Sequence, residues 1–357
     1  MFISSINFES QPISKMQAIK NTLAENVHGA HGLAPPEHQF SLDDCPDLSE
    51  KVAVVNGGSE GIGYGAAHTL LKHNLAKLFI IGVSQEVFDG AKQDISEKIS
   101  PEAAEKVIFI QCDLADWPAV TKAAKKITDS TDRLDILINN SGRGVMTFQL
   151  TEYGVDRHMA ISHFGYVILT SHLLPLLKRT SEKGHTVRIA NQASNLHQGA
   201  PSGIKFESID ELNTDYGPNG QYGRSKLAVM LYTRWLNKHL SKEYPQIIVN
   251  TTHPGFVETK MSVADIHEPY PIMGYANSVL LNPLKKDQWE GCVSILYAAV
   301  AAEKGGQYIC PPAIPEPGSS QSQDEALGEQ LMKLTEQVIK EKMPPGAVDE
   351  ELSTKFY

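Results

Sequence analysis

Residues 51–65 read KVAVVNGGSEGIGYG, and this segment is the clearest indication of the fold in the sequence. A short run of β-branched and small apolar residues leads into three glycines, Gly57, Gly61 and Gly63, and then into helix-compatible residues. A glycine-rich turn between a strand and a helix lets the backbone approach a pyrophosphate, whose charge the helix N-terminus attracts. The spacing Gly-x-x-x-Gly-x-Gly differs from Gly-x-Gly-x-x-Gly, and no Lys-Ser/Thr pair follows to indicate a nucleoside triphosphatase. The stretch favours a nucleotide-binding turn over a plain tight turn.

Similar apolar runs recur along the chain and alternate with segments of helical period. They cover residues 52–55, 77–83, 107–111, 134–139, 186–192 and 247–250, with a seventh candidate at 307–310. Near-continuous apolar strands between helices are typical of a parallel sheet that is covered on both faces. The pattern therefore predicts an α/β fold with a doubly wound parallel sheet of about seven strands.

Two segments outside this pattern are predicted to be extensions. Residues 1–48 carry little periodicity apart from a helical stretch at 14–25, so we expect an N-terminal extension that wraps around the domain or trails from it. The domain itself is assigned to residues 49–310. Residues 311–357 begin with a proline-rich spacer, turn-rich or extended, and contain an amphipathic helix at 324–342 that would pack on the domain or on a second subunit.

Charge and composition exclude several classes of protein. The 357 residues include 32 Lys plus Arg and 42 Asp plus Glu, a net charge of −10 that argues against nucleic-acid binding. No apolar stretch reaches the ~18 residues that a membrane span needs. The N-terminus lacks a secretory apolar run and the four cysteines form no CxxC, so we expect a reduced protein in the cytoplasm. No metal is expected, because His28, His31 and His38 lack cysteines or paired carboxylates at ligand spacing.

Polar residues at the ends of the predicted strands point to one crevice, because ligands of open α/β sheets bind outside the carboxyl ends of the strands. Asp113 ends the third strand, where its carboxylate would accept from an adenine amino group. Residues 139–142 end the fourth strand, and a simple strand-exit turn is the alternative interpretation there.

Three further residues suggest a reaction. Tyr222 and Lys226 are four positions apart and would share one helix face. A neighbouring ammonium favours the phenolate and lowers the pKa of a tyrosine from its usual value of about 10, so that the phenol can exchange a proton with a substrate oxygen. Ser194, after the fifth strand, would hold the same oxygen by a hydrogen bond. A nicotinamide would supply the hydride, since no protein side chain does.

Taken together, these motifs resemble the short-chain dehydrogenase/reductase superfamily over residues 51–308. The pattern Thr-Gly-x-x-x-Gly-Ile-Gly is met from Gly57 to Gly63, with Asn56 in place of Thr, and Asn-Asn-Ala-Gly is met at 139–142 with Ser141 in place of Ala. The surroundings of Tyr222 and its interval of 28 positions from Ser194 are similar to the retinol dehydrogenase and carbonyl reductase branch. The proline-rich tail is similar to fungal members.

The resemblance implies a Rossmann-type sheet and a set of functional residues. Tyr222 would be the general acid/base, Lys226 would lower its pKa, and Ser194 would orient the carbonyl. Ser162 stands where the family usually has an Asn of the proton relay, so the relay would be rebuilt with water or impaired. The residues expected at the cofactor are Asn56, Gly57, Ser59, Glu60, Gly61, Ile62, Gly63, Ser84, Asp113, Leu114, Asn140, Ser141, Gly142, Tyr222, Lys226, Pro254, Gly255, Val257 and Thr259.

The preferences for cofactor and substrate are inferred from the residues after the second strand and from the composition of a later segment. No acidic residue follows the second strand before Glu86, which favours NADP(H) over NAD(H), although the basic residues that NADP users commonly place near Ser84 and at Glu60 are absent. Residues 261–284 are apolar and aromatic, and either form a lid over a lipophilic carbonyl or alcohol or pack as an ordinary helix. Because family members often pair through exposed helices, a homo-oligomer and a monomer are both compatible with the sequence. The alternative function is a regulatory or scaffold protein that binds nucleotide with impaired catalysis.

Overall fold

A computed structural model describes residues 14–257 and 285–344 of the chain. Its strands are β1 (Val52–Asn56), β2 (Lys77–Gly82), β3 (Val107–Gln111), β4 (Ile136–Asn139), β5 (Val187–Gln192), β6 (Ile247–Thr252), β7 (Tyr308–Cys310) and β8 (Ile314–Glu316). Its α-helices are α1 (Lys15–Asn26), α2 (Gly61–Lys72), α3 (Gln85–Lys98), α4 (Pro101–Glu105), α5 (Trp117–Ser130), α6 (Arg157–Met159), α7 (Tyr166–Glu182), α8 (Ile209–Leu212), α9 (Gly217–Leu240), α10 (Gln288–Gly291), α11 (Val293–Val300) and α12 (Glu325–Lys342). A π-helical turn, Ala160–Gly165, joins α6 to α7.

The strands form one sheet in the order β3-β2-β1-β4-β5-β6-β7-β8, parallel except for β8. The predicted doubly wound α/β fold is confirmed, with eight strands in place of about seven. The additional strand, β8, lies in the predicted proline-rich spacer and pairs antiparallel with β7. Pro315 lacks an N–H group, and an edge strand tolerates that loss.

Apolar side chains cover both faces of the sheet. Trp117, Tyr166 and Leu331 belong to the core on one face, while Leu70 and Leu296 belong to the core on the other, and all are buried. Every residue of β1 is buried as well. This two-sided burial is the reason that the strand segments carry continuous apolar runs.

Strand order reverses between β1 and β4, and ligands of open α/β sheets bind at the carboxyl ends of the strands at such a position. The pairing register aligns three asparagines there, with Asn56 opposite Asn139 and Asn139 opposite Asn191. The glycine turn after β1 and residues 140–142 after β4 therefore lie side by side.

Both ends of the described chain pack against this body. α12 lies along α9, where the Trp235 indole N–H donates to Glu329 at 2.8 Å. At the other end, the Lys286 amine donates to the Ala24 and Glu25 carbonyls of α1 at 2.9 and 2.7 Å. The N-terminal segment thus wraps around the body.

One helical run among the described residues, Arg157–Glu182, is long and apolar enough to cross a bilayer by length and composition alone. Most of it is buried inside the protein, where α7 packs against α5 and the sheet. Such burial is that of a core helix.

Candidate active site

The turn after β1 requires glycine at two positions. Gly57 has a φ of +68°, and a Cβ added there would lie 2.9 Å from the Asn140 Nδ2 atom. A Cβ at Gly63 would lie 2.1 Å from the Gly57 carbonyl oxygen, too close for any side chain. The exposed Glu60 precedes α2 and makes no side-chain cap to it, so the first turn of α2 keeps its N–H groups for a ligand. This bare, positive end of the helix fits a pyrophosphate.

A chain of buried amides fixes the strand ends around that turn. The Asn56 side-chain oxygen accepts from the backbone N–H groups of Asn140 and Ser141 at 2.9 and 2.7 Å. Its Nδ2 atom donates to the Asn139 side chain at 2.6 Å, and Asn139 donates in turn to Asn191 at 2.8 Å. Buried amides need such partners. Asn56, where the family usually has Thr, therefore holds the segment after β4 in place.

The predicted pair of Tyr222 and Lys226 lies on α9 as its spacing requires. The Lys226 Nζ atom is 5.4 Å from the centroid of the half-buried Tyr222 ring, and it donates to the Gln192 carbonyl at 3.3 Å. Lys226 is only 4% exposed, and this burial lowers the pKa of its ammonium to about 8. The ammonium is therefore close to its titration range near neutral pH, beside the phenol.

Ser194 lies at the start of a 3₁₀ turn that packs directly on α9. Its Oγ atom accepts from the Leu196 N–H at 3.2 Å, and the side chain is buried. A Cβ at Gly223, the residue after Tyr222, would lie 2.8 Å from the Leu196 carbonyl oxygen. Because this glycine allows such close packing, the Ser194 turn and the Tyr222 segment of α9 are in contact.

Gly142 lies against both the Lys226 amine and the Ser162 hydroxyl. A Cβ at Gly142 would lie 3.3 Å from the Lys226 Nζ atom and 3.5 Å from the Ser162 Oγ atom. Ser162 is buried in the π-helical turn between α6 and α7. Such turns are frequent at functional sites. The structure thus brings together the four predicted catalytic positions, which lie on three separate segments: Tyr222 and Lys226 on α9, Ser194 at the 3₁₀ turn and Ser162 in the π-helical turn.

Sequence reasoning missed His158, one helical turn before Ser162. This buried side chain has its Nε2 atom 2.9 Å from the Gly144 carbonyl oxygen, so Nε2 carries the proton and donates. Its ring stands perpendicular to the Tyr222 ring, with 6.4 Å between centroids. The signal in the sequence is weak, because His163 and His172 lie in the same helical run and nothing in the spacing singles out His158.

The residues predicted to bind the adenosine end of the cofactor are partly engaged by other groups of the protein. One oxygen of the Asp113 carboxylate pairs with the Arg157 guanidinium at 2.9 Å, and the other accepts from the Ala115 N–H at 2.9 Å, so the protein engages both oxygens. Leu114 packs beneath the π-helical turn, where a Cβ at Gly165 would lie 2.8 Å from it. Ser84 caps α3, accepting from the Val87 N–H at 3.2 Å.

Ser59 differs from these residues because its hydroxyl is buried and finds no hydrogen-bond partner in the described part of the chain. A Cβ at Gly82, the last residue of β2, would lie 3.3 Å from that Oγ atom. An unsatisfied buried hydroxyl between the glycine turn and the end of β2 fits a polar ligand group.

The last predicted cofactor segment follows β6. Gly255 has a φ of +83°. The side chains of Val257 and of Ile62 in α2 both lie close to Gly291. Pro254 precedes them at the end of β6. Thr259 and the predicted lid, 261–284, lie outside the described residues.

A doubly wound sheet with a glycine turn at its point of reversal defines a dinucleotide-binding class of α/β protein. Residues 51–204 match the family described as short chain dehydrogenase. Relatives agree along nearly the whole chain: the oxidoreductase bli-4 of Neurospora crassa is 53% identical over 350 residues, which cover 95% of this chain and 84% of the relative. The chain belongs to the short-chain dehydrogenase/reductase superfamily, and it is an oxidoreductase of the NAD(P)-binding kind that this family comprises.

Two other proteins are similar over most of the domain. Human polyprenol dehydrogenase is 31% identical over 271 residues, covering 74% of this chain and 78% of that protein. The structure of a Pseudomonas aeruginosa RhlG/NADP active-site complex superposes with a TM-score of 0.55 at 25% identity, covering 74% of this chain and 95% of that one.

The predicted cytoplasmic location is wrong by the same comparison, because the similar Neurospora protein carries "mitochondrial" in its name. The prediction rested on the lack of an apolar secretory run. Import into an organelle uses amphipathic segments, which that criterion does not detect.

Proposed function

We propose that this chain is an NADP(H)-dependent reductase that interconverts a lipophilic ketone or aldehyde with its alcohol, with Tyr222 as general acid/base. One observation carries the proposal. The buried Lys226 ammonium lies beside the Tyr222 ring and against Gly142, at the crevice where the glycine turn and the end of β4 meet.

The roles of the side chains follow from this arrangement. A bound nicotinamide supplies the hydride to the carbonyl carbon. Tyr222 donates its phenolic proton to the carbonyl oxygen, and Ser194 donates a hydrogen bond to the same oxygen while charge develops on it. The Lys226 ammonium stabilises the resulting phenolate, and it does so while it is protonated, below about pH 8.

The preference for NADP(H) rests on Ser59 and the end of β2. The unsatisfied Ser59 hydroxyl and the N-terminus of α3 offer donors that suit a 2′-phosphate. The exposed residue directly after β2 is Val83, whereas a carboxylate at this position would repel the phosphate. We expect a lower Kd for NADPH than for NADH by fluorescence titration. Ser59→Ala should raise the Kd of NADPH about tenfold and leave that of NADH nearly unchanged. Tighter binding of NADH would overturn the preference.

A lipophilic substrate is supported by the human relative, whose name gives a polyprenol, a long isoprenoid alcohol, as its substrate. The composition of residues 261–284 points the same way.

The test is to follow oxidation of NADPH by the purified chain with carbonyl compounds of increasing chain length. Tyr222→Phe should lower kcat by a factor of about 10² to 10⁴. Tyr244→Phe, in the connection between α9 and the amino end of β6 and thus away from the carboxyl ends of the strands, is the matched control and should retain activity. If the wild-type chain binds NADPH but turns over no faster than Tyr222→Phe, the reductase proposal fails and a nucleotide-binding scaffold is favoured.

Ser162 provides a second arm of the test. Its hydroxyl stands in place of the amide that the family usually has at this position, so Ser162→Asn should raise kcat if the relay of the wild-type chain is impaired. An unchanged kcat would show that Ser162 together with a water molecule is sufficient for the proton relay.

A further inference from the structure

The outward face of α1 is apolar, whereas its inward face is small and polar. Met16, Ile19 and Leu23 are 63%, 57% and 41% exposed, and their spacing of three and four places them on one helix face. The buried residues of this helix are Asn21 and Ala24. A surface helix of a globular protein normally has the opposite arrangement. We call Met16, Ile19 and Leu23 the α1 stripe.

Basic residues border the α1 stripe on both sides. At about 100° per residue, Lys15 and Lys20 each lie about 70° from the centre of the stripe, on opposite flanks. Both are exposed. The acidic residue of the helix, Glu25, lies away from the stripe, and burial raises the pKa of its carboxyl to about 7. Within α1, the residues that border the stripe are therefore lysines, with the acidic residue of this helix on the far side.

We propose that the α1 stripe docks on the surface of an anionic membrane. Apolar side chains between flanking lysines match the acyl boundary and the phosphates of anionic lipids. A second copy of the chain is a poorer occupant, because a two-fold pairing of this face would bring lysine against lysine across the contact.

The position of α1 connects this surface with the proposed reaction. The Lys286 amine ties its last carbonyls to the body, and a Cβ at Gly255 would lie only 2.4 Å from the Glu25 carbonyl oxygen. Phe256, the next residue, is 40% exposed. The stripe is thus held rigidly beside the turn after β6, so docking would present this end of the active site to the lipid. This link rests on the proposed lipophilic substrate, whereas the docking itself does not.

The experiment is flotation of the full-length chain with vesicles of phosphatidylcholine, with and without phosphatidylglycerol. Binding should need the anionic lipid and weaken with salt. The triple variant Met16→Gln/Ile19→Gln/Leu23→Gln should lose binding, and Lys15→Gln/Lys20→Gln should weaken it about fivefold for each lysine. Val87→Gln/Ile108→Gln, which changes exposed apolar residues elsewhere, is the matched control and should bind like the wild type.

Vesicle binding and turnover are measured separately, so that the two proposals can fail independently. Turnover of a short, water-soluble carbonyl should be the same in the stripe variants and the wild type, which also shows that these variants fold. Equal flotation of the triple variant and the wild type would overturn the docking proposal. So would a stripe variant that changes the oligomeric mass by light scattering while the wild type binds no vesicles, because a second copy would then be the occupant.

Discussion

Replacing Lys286 by methionine should release α1 from the body of the protein. The buried amine donates to the Ala24 and Glu25 carbonyls and to the His31 Nε2 atom at 2.7–2.9 Å. Burial lowers the pKa of His31 to about 4, so this imidazole is neutral at pH 7 and accepts the bond. Two of the acceptors are carbonyls of the last turn of α1, which have no partner inside the helix.

The size of the effect follows from two opposing contributions. Hydrogen bonds from a charged donor contribute roughly 1.5–3 kcal/mol each, about 4.5–9 kcal/mol for three. Burial lowers the pKa of Lys286 from 10.5 to about 8, chiefly by desolvation. This fall corresponds to a cost of about 3.4 kcal/mol for the charged form. The difference is about 1–6 kcal/mol, with a middle value near 3 kcal/mol, or roughly a hundredfold change in the population of detached helix.

Hydrogen exchange of the amides in residues 15–31 measures this population directly. Protection of these amides should fall by about two orders of magnitude in Lys286→Met, while the amides of the central strands keep theirs. Lys20→Met, the same change at an exposed position of α1, is the control and should exchange like the wild type. Unchanged protection in Lys286→Met would contradict this prediction, because α1 would then be held by other contacts.

Three further predictions concern the turn, the extension and the active site. Gly63→Ala places a Cβ against the Gly57 carbonyl oxygen, so the turn must move and the affinity for NADPH should fall about hundredfold by titration; Gly90→Ala, in open space, should not change it. The pKa of Glu25 is raised to about 7, mainly by burial, so its protonated form stabilises the docked helix fully below about pH 4.5, and this contribution is lost as the pH rises through 7. Glu25→Gln should therefore remove this fall in α1 protection and leave the opposite trend from His31, whose pKa of about 4 in the docked segment makes protection rise with pH up to about 6.5; a fall that persists in Glu25→Gln would exclude Glu25 as its source. His158→Phe removes the donor to the Gly144 carbonyl and should lower kcat about tenfold, whereas His158→Gln should largely restore it; equal losses in both, accompanied by equal falls in Tm, would reduce His158 to a packing role.

Local features of the sequence were sufficient for the sheet and for the cofactor turn. A strand that is buried on both faces is apolar throughout, so β1 can be predicted from a few consecutive residues. The glycines of the turn are required by contacts between near neighbours in the chain, as between Gly63 and Gly57. The Tyr222 and Lys226 pair is equally local, since one turn of helix brings the two side chains together.

Contacts between distant segments could not be predicted from the sequence and depend on how the elements pack. The spacer after β7 becomes the edge strand β8 because an edge is available for pairing there. His158 meets the Tyr222 ring across two helices, and Lys286 reaches the carbonyls of α1 from 261 or more positions away. No periodicity or spacing along the chain encodes such pairs. They form because folding buries polar atoms that must then find partners, and the partner is whichever group the packed elements bring within reach.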